Sequence, residues 1–280
     1  SAALPVFIYK IYQLFLVGEI PVEWRSFEIL PGLAIYFKVE ALGLIFALLL
    51  AVMWPISLLY SISYMRKNNE GNLGRFFTFF CISISASLGI AFAGNLLTLF
   101  IFYELLTLVT YNLVTHSRSD KSRKAGRVYL GVLISTSMLF FLPAIIVTYN
   151  VSGTLDFTVG GILTDKMSVT ASMVLLVFYM LGISKAALMP VHKWLTAAMV
   201  APTPVSALLH AVAVVTAGVF TVVKVIVYIF GIENLSKIAF DFGQYGDWLL
   251  YVSAFTIIMA SIIALSRDIL KQLLAYSTIS

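Results

Sequence analysis

Three ionisable side chains sit inside long apolar runs, and they are the residues with chemistry to offer. Glu104 lies within "NLLTLFIFYELLTLVTYNLV", Lys185 within "YMLGISKAALMPVHKW" and Lys224 within "TVVKVIVYIF". Two histidines in apolar surroundings, His192 and His210, join them. A charge at the centre of a bilayer costs about 2.5–3.5 kcal/mol on insertion scales, so such residues face a partner or a wet cavity. Opposite charges at that depth stabilise each other's ionised forms, whereas desolvation alone would neutralise each. Histidine titrates in the physiological range and suits a proton relay. A carboxylate, two ammonium groups and two imidazoles therefore point to proton or ion transfer.

Spacing sharpens each candidate. Glu104 is about 15 Å along its helix from the turn at Gly94, taking 1.5 Å per residue, close to the midplane of a core about 30 Å thick. Thr107, Tyr111 and Thr115 follow at i+3, i+7 and i+11, a polar stripe on one face. The bland alternative is a carboxyl that only glues helices together. Read as a residue late in its helix, Lys185 leans its side chain back toward the N-terminus, to the depth of Glu104. The two are then a switchable pair, or a static one. Pro190 removes a backbone donor, and irregular backbone at membrane depth is tolerated only beside protein or water. This predicts a discontinuous helix broken near Pro190, with 191–200 a short half-helix before Pro202 and Pro204. His210 opens a second line, with Ser206, Ala213, Ala217, Thr221 and Lys224 at helical spacing. It is a relay or a core histidine bonded to a carbonyl. Lys224 carries ions or snorkels to the headgroups. His192 belongs to the path or merely satisfies carbonyls freed by the proline.

Other chemistries lack their residues. His116, His192 and His210 are the three histidines, and none has zinc-ligand spacing with a third ligand. Walker A, dinucleotide and nucleophile-elbow motifs are missing. The sequence calls for no metal and no cofactor. Cys81 is the single cysteine, which supports neither a disulfide framework nor a thiolate metal site.

The elements that position these residues are set by composition. The chain is 61% hydrophobic and 11% charged, with a mean hydropathy of +1.00; a soluble domain would carry about 25% charged residues. This is an all-α, polytopic membrane bundle. About seven spans are predicted, at 38–64, 74–93, 96–115, 128–149, 168–188, 204–230 and 247–265, with partial ends at 2–17 and from 272. The runs are too long and too unalternating for a β-barrel. No linker divides them, which predicts one transmembrane domain over 1–280. At the junctions, Gly94 and Asn95 suit a tight turn, and Thr203 before Pro204 suits an N-cap. Arg66, Lys67 and Arg75 in the 65–75 loop, five basic residues in the 116–127 loop, then Lys193, Arg267 and Lys271 all fall on one side. The other side holds Glu19, Glu23, Glu28, Asp156, Asp165, Glu233, Asp241 and Asp247, with fewer cations. The basic side is expected to be cytoplasmic. A pI near 9.2 then reflects topology and not nucleic-acid binding. Both ends stop within apolar sequence, as expected of a piece of a longer protein.

The segment "GISKAALMPVHKWLTAAMVAPTPVSALLHAVAVVTAGVF" (182–220) resembles the antiporter-like subunits of respiratory complex I, of Mrp-type cation/proton antiporters and of membrane-bound hydrogenases. "ILPGLAIYFKVEALGLIFALLLAVMWPISLLYSISYM" (29–65), "LFIFYELLTLVTYNLV" (99–114) and "RDILKQLLAYSTIS" (267–280) fit the same family in order. The resemblance implies inverted repeats, the first over about 74–230 and the second beginning near 247. It implies a glutamate–lysine pair at Glu104 and Lys185, and a relay histidine at His210. It also implies other integral membrane subunits as partners, the bilayer as surroundings, protons or sodium as cargo, and a bacterial or archaeal plasma membrane. If the complex is of the NADH:quinone oxidoreductase type, this chain holds no redox site. Thr216 departs from several Mrp-type relatives, which carry lysine there. Two functions from different classes remain: an ion-translocating antiporter-like subunit, and a structural scaffold whose buried pair only locks helices.

Overall fold

The computed structural model describes residues 3–17, 23–30, 33–236 and 248–280. Glu19, Lys237, Asp241 and Asp247, which bear on the charge asymmetry, lie outside the described residues. The chain packs as two compact units, residues 1–123 with 201–217, and residues 124–200 with 218–280.

The first unit begins with α1 (Ala3–Val17) and then an antiparallel hairpin, β1 (Glu23–Leu30) and β2 (Leu33–Lys38). The apolar periodicity gives no hint of this hairpin. Its strands are too short to span a membrane, and the helical bundle stands. Three spanning helices follow: α2 (Ala41–Lys67), α3 (Leu73–Ala91) and α4 (Leu96–Val114). The α3–α4 turn is tight, as Gly94 and Asn95 suggested. Asn95 caps α4 by accepting from the Thr98 amide at 2.8 Å, and its amide donates to the Ala34 carbonyl at 2.8 Å. The turn backbone continues β2, with Gly94 N–H donating to Tyr36 and Lys38 N–H to Phe92, each at 2.8 Å. A Cβ on Gly94 would stand 2.5 Å from the Tyr36 ring, so only glycine lets the hairpin seal this end. Arg25 covers the other face of Tyr36 at 4.2 Å. Burial, more than the nearby charges, raises the Tyr36 pKa.

Residues 120–152, all but the first four in the second unit, form one continuous helix long enough to span a membrane. It comprises α5 (Asp120–Thr136), a π turn (Ser137–Phe141) and α6 (Leu142–Ser152). The π turn precedes Pro143, which has no N–H to give the ladder; the Leu142 amide reaches five residues back to Ser137. The helix starts eight residues before the predicted 128. Lys121, Arg123, Lys124 and Arg127 therefore lie on helix and not in a loop. Next comes α7 (Val169–Gly182), only 14 residues long, then the broken segment with α8 (Lys193–Ala197). The unit closes with α11 (Trp248–Leu265) and α12 (Leu270–Ile279).

Residues 203–230 form a second long, interrupted helix. Its parts are α9 (Thr203–Ala207), a π turn (Leu208–Val212), α10 (Val214–Lys224) and another π turn (Val225–Phe230). Thr203 is already helical and Pro202 holds the cap position; the Thr203 hydroxyl instead donates to the Tyr64 hydroxyl at 3.3 Å. Among the described residues six helices are long and apolar enough to cross a membrane. The seventh predicted span, 168–188, is the one that breaks.

Candidate functional site

Glu104 is the ninth residue of α4, near the middle of that span. Both carboxylate oxygens are buried, with no hydrogen-bond partner among the described residues. The threonine hydroxyls of the stripe donate within their own helix. The Thr107 hydroxyl donates to the Tyr103 carbonyl at 3.2 Å and the Thr115 hydroxyl to Tyr111 at 2.9 Å. Each threonine has turned its proton back onto its own helix, a common fate of mid-helix threonine. Thr107 is buried and Tyr111 half-buried.

His210 lies in the first unit within the π turn Leu208–Val212. The Ala213 amide reaches five residues back to the Leu208 carbonyl at 2.9 Å, and Ala213 itself leaves helical geometry with φ −126°. The line drawn from His210 through Ala213 to Lys224 assumed an unbroken 3.6-residue period, and the extra residue of the π turn interrupts it. Turns of this kind recur at functional sites. Ser206, one turn earlier, is 7% exposed and its hydroxyl has no hydrogen-bond partner among the described residues.

Lys185 belongs to the second unit and is completely buried. The helix ends at Gly182, before the lysine; Lys185 sits in a 3-10 turn, Ser184–Ala186. The side-chain direction inferred for a helical residue therefore does not apply. The break surrounds Pro190 but starts eight residues upstream, through Ile183 and the left-handed Ala187 (φ +58°). The Met189–Pro190 peptide is cis.

What holds the break is a set of contacts that sequence reasoning missed. Trp194 Nε1 donates to the Ser184 carbonyl at 2.9 Å, and the Tyr129 ring meets the Trp194 ring edge-on at 5.6 Å. The Thr136 hydroxyl donates to the Ser184 hydroxyl at 2.7 Å. Gly182 packs on the π turn: a Cβ there would lie 2.5 Å from the Phe141 nitrogen. Gly218 of α10 packs on the break itself, where a Cβ would enter the backbone of Lys185 and Ala186. A glycine inside a spanning helix is a weak signal of close approach, and Gly218 was readable as such. His192 lies on the far side of the break. Its Nδ1 has no hydrogen-bond partner among the described residues, so that atom satisfies no freed carbonyl, and its ring stands 6.0 Å from Tyr276 of α12.

Lys224 ends α10, six residues beyond Gly218. It does not snorkel; it is fully buried, with Nζ 4.3 Å from the Phe157 ring centroid, 5.7 Å from Phe220 and 5.9 Å from Tyr228. One helix, α10, thus packs on the backbone of one buried lysine through Gly218 and carries the other as its last residue.

Helices long and apolar enough to span a membrane, with one helix broken, define the class as an integral membrane subunit. Residues 93–280 match the family described as NADH:quinone oxidoreductase/Mrp antiporter, transmembrane, and the chain belongs to that family. It is 30% identical over 286 residues to a Na(+)/H(+) antiporter subunit of Alkalihalophilus pseudofirmus, covering 99% of this chain and 34% of that protein. It is 30% identical to a putative antiporter subunit mnhA2 of Staphylococcus haemolyticus, covering 87% of this chain and 29% of that one. The Mrp complex of Dietzia sp. DQ12-45-1b contains a chain that superposes with a TM-score of 0.79 at 25% identity, over 99% of this chain and 30% of that chain. An archaeal membrane-bound sulfane sulfur reductase shares the fold, with a TM-score of 0.82 at 20% identity, over 99% of this chain and 55% of that chain. The chain spans about a third of the length of the curated relatives it matches.

Proposed function

We propose that this chain is the ion-translocating part of an antiporter-like subunit that moves protons, or sodium against protons. Glu104 and Lys185 are the switching pair of the first repeat, which runs over about 74–230. His210 relays toward the second repeat, which begins near 247, and Lys224 serves the end of the path away from the basic loops. Ser206 and His192 flank the relay and the break. The observation that carries this reading is a lysine with no solvent exposure placed in irregular backbone at a helix break. The relatives named as antiporter subunits support it, as does the likeness to a chain of the Dietzia Mrp complex. We place the protein in a bacterial or archaeal plasma membrane beside other integral subunits, with the ends at 65–75 and 116–127 in the cytoplasm. The test is made in the full-length protein assembled with its partners. Lys185→Ala and Glu104→Ala should each abolish proton or sodium transport while assembly persists. Normal transport by both would sink the reading.

A second reading keeps the chain as a scaffold. The inward-turned hydroxyls of Thr107 and Thr115 favour it, because they offer no proton to a wire. Under this reading Glu104→Gln with Lys185→Met assembles and transports normally.

A further inference from the structure

The connection from 153 to 168, between α6 and α7, closes over Lys224 in an organised way. Phe157 is 2% exposed and its ring is the nearest to the Lys224 ammonium. The Tyr228 ring stands 5.8 Å from the Phe157 ring. The Ile162 and Leu163 amides donate to the Tyr228 and Ile229 carbonyls at 3.1 and 3.0 Å. These carbonyls end the π turn, where a helix has no amides of its own left to give. Gly161 (φ +92°) and Gly231 (φ +77°) carry the close approach. A Cβ on Gly161 would stand 2.6 Å from the Phe230 carbonyl oxygen, and one on Gly231 would run into that of Gly160. The latch is therefore made of backbone, while the contact with the cation is made by rings. A desolvated ammonium on a ring face is held by the ring quadrupole. The joint consists of two backbone hydrogen bonds and a glycine pair, none of them internal to a helix ladder.

We propose that residues 153–168 form a lid on the ion path, with Phe157 as its aromatic plug. Closed, the lid holds the Lys224 ammonium against the rings; open, it lets that ammonium meet water at the end of α10. The proposal rests on the ion-translocation reading, and Phe157 is a positioning residue, since it acts through Lys224.

The experiment uses the full-length protein in its complex, reconstituted in vesicles. Phe157→Leu, close in volume but without a π face, should slow transport about tenfold, and Phe157→Tyr should restore it. Equal transport by the leucine and tyrosine variants would reduce Phe157 to packing and overturn the plug. A second readout is independent of transport. In a Cys81→Ser background, Lys224→Cys is labelled with a membrane-impermeant cationic thiol reagent. Adding Phe157→Ala should raise the labelling rate about tenfold; an unchanged rate overturns the lid. Unchanged labelling together with loss of transport in Lys185→Ala removes the lid alone. Faster labelling together with normal transport in Lys185→Ala keeps the lid and removes the ion reading.

Discussion

Lys185 lies against α10 and Lys224 ends it; both are fully buried, yet they are enclosed by different means. Around Lys185 the enclosure is backbone. The helix stops at Gly182, and the buried carbonyl of Ser184 accepts from the Trp194 indole and the Ala187 amide. Around Lys224 the helix continues, as a π turn, and the enclosure is three aromatic rings with a loop laid across. The break places irregular backbone beside the charge. The rings around Lys224 add a quadrupole that holds a cation. Under the proposed function, the first arrangement belongs to a lysine that changes its charge and the second to a lysine whose access is controlled.

The largest expected effect is at Gly218, where α10 touches the break. Gly218→Leu forces a side chain into the Lys185 and Ala186 backbone and should destabilise by about 1–3 kcal/mol or more, the range for overpacking. A lowered thermal midpoint in detergent and lost transport are expected. A variant of wild-type stability would show that the break does not depend on this contact. Trp194→Phe comes next: it keeps most of the ring and removes one of two donors to the buried Ser184 carbonyl, which retains the Ala187 amide at 2.9 Å, a loss of about 0.5–1.5 kcal/mol. The labelling rate of Lys224→Cys should not change in that variant, because the two enclosures are separately held. Tyr228→Leu should do the reverse, costing about 0.5–1.5 kcal/mol for the aromatic pair with Phe157 and leaving the Trp194 fluorescence of the break unaltered.

The smallest effect lies away from both lysines. His116 follows α4 and is 5% exposed, with Nε2 3.0 Å from the Gly71 carbonyl. Arg75 donates to the His116 carbonyl at 3.1 Å. Burial first, and the Arg75 charge second, lower its pKa below the ordinary value. The unfolded chain therefore takes up a proton more readily than the fold does. The stability this residue contributes is complete above pH about 6.5 and is lost as pH falls from there through the depressed folded pKa. Between pH 7.5 and 5.5 the thermal midpoint of His116→Asn should fall less than that of the wild type. Equal falls would remove His116 as a source of acid sensitivity.

The sequence by itself determined the solvent and the spans. Hydropathy is a property of runs, so the spanning helices α2, α3 and α4 and the long helices at 120–152 and 203–230 were legible with errors at their ends. The α3–α4 turn was legible because glycine and asparagine carry their turn chemistry locally. Glu104, Lys185 and Lys224 stood out because a charge in an apolar run is expensive wherever it points. What tertiary structure decided was direction and enclosure. At the end of helix α7 Gly182 packs on the π turn at Phe141 with no room for a side chain, and Gly218 of α10 packs in the same way on Lys185 and Ala186. Pro190 marks the break without being its start. The hydroxyls of Thr107 and Thr115 turned inward, and the π turns broke the line from His210, because each is set by where a carbonyl stands. Phe157 reaches Lys224 from 67 residues away in the chain. No periodicity encodes such a contact: it depends on where two backbones, rather than two side-chain types, can approach.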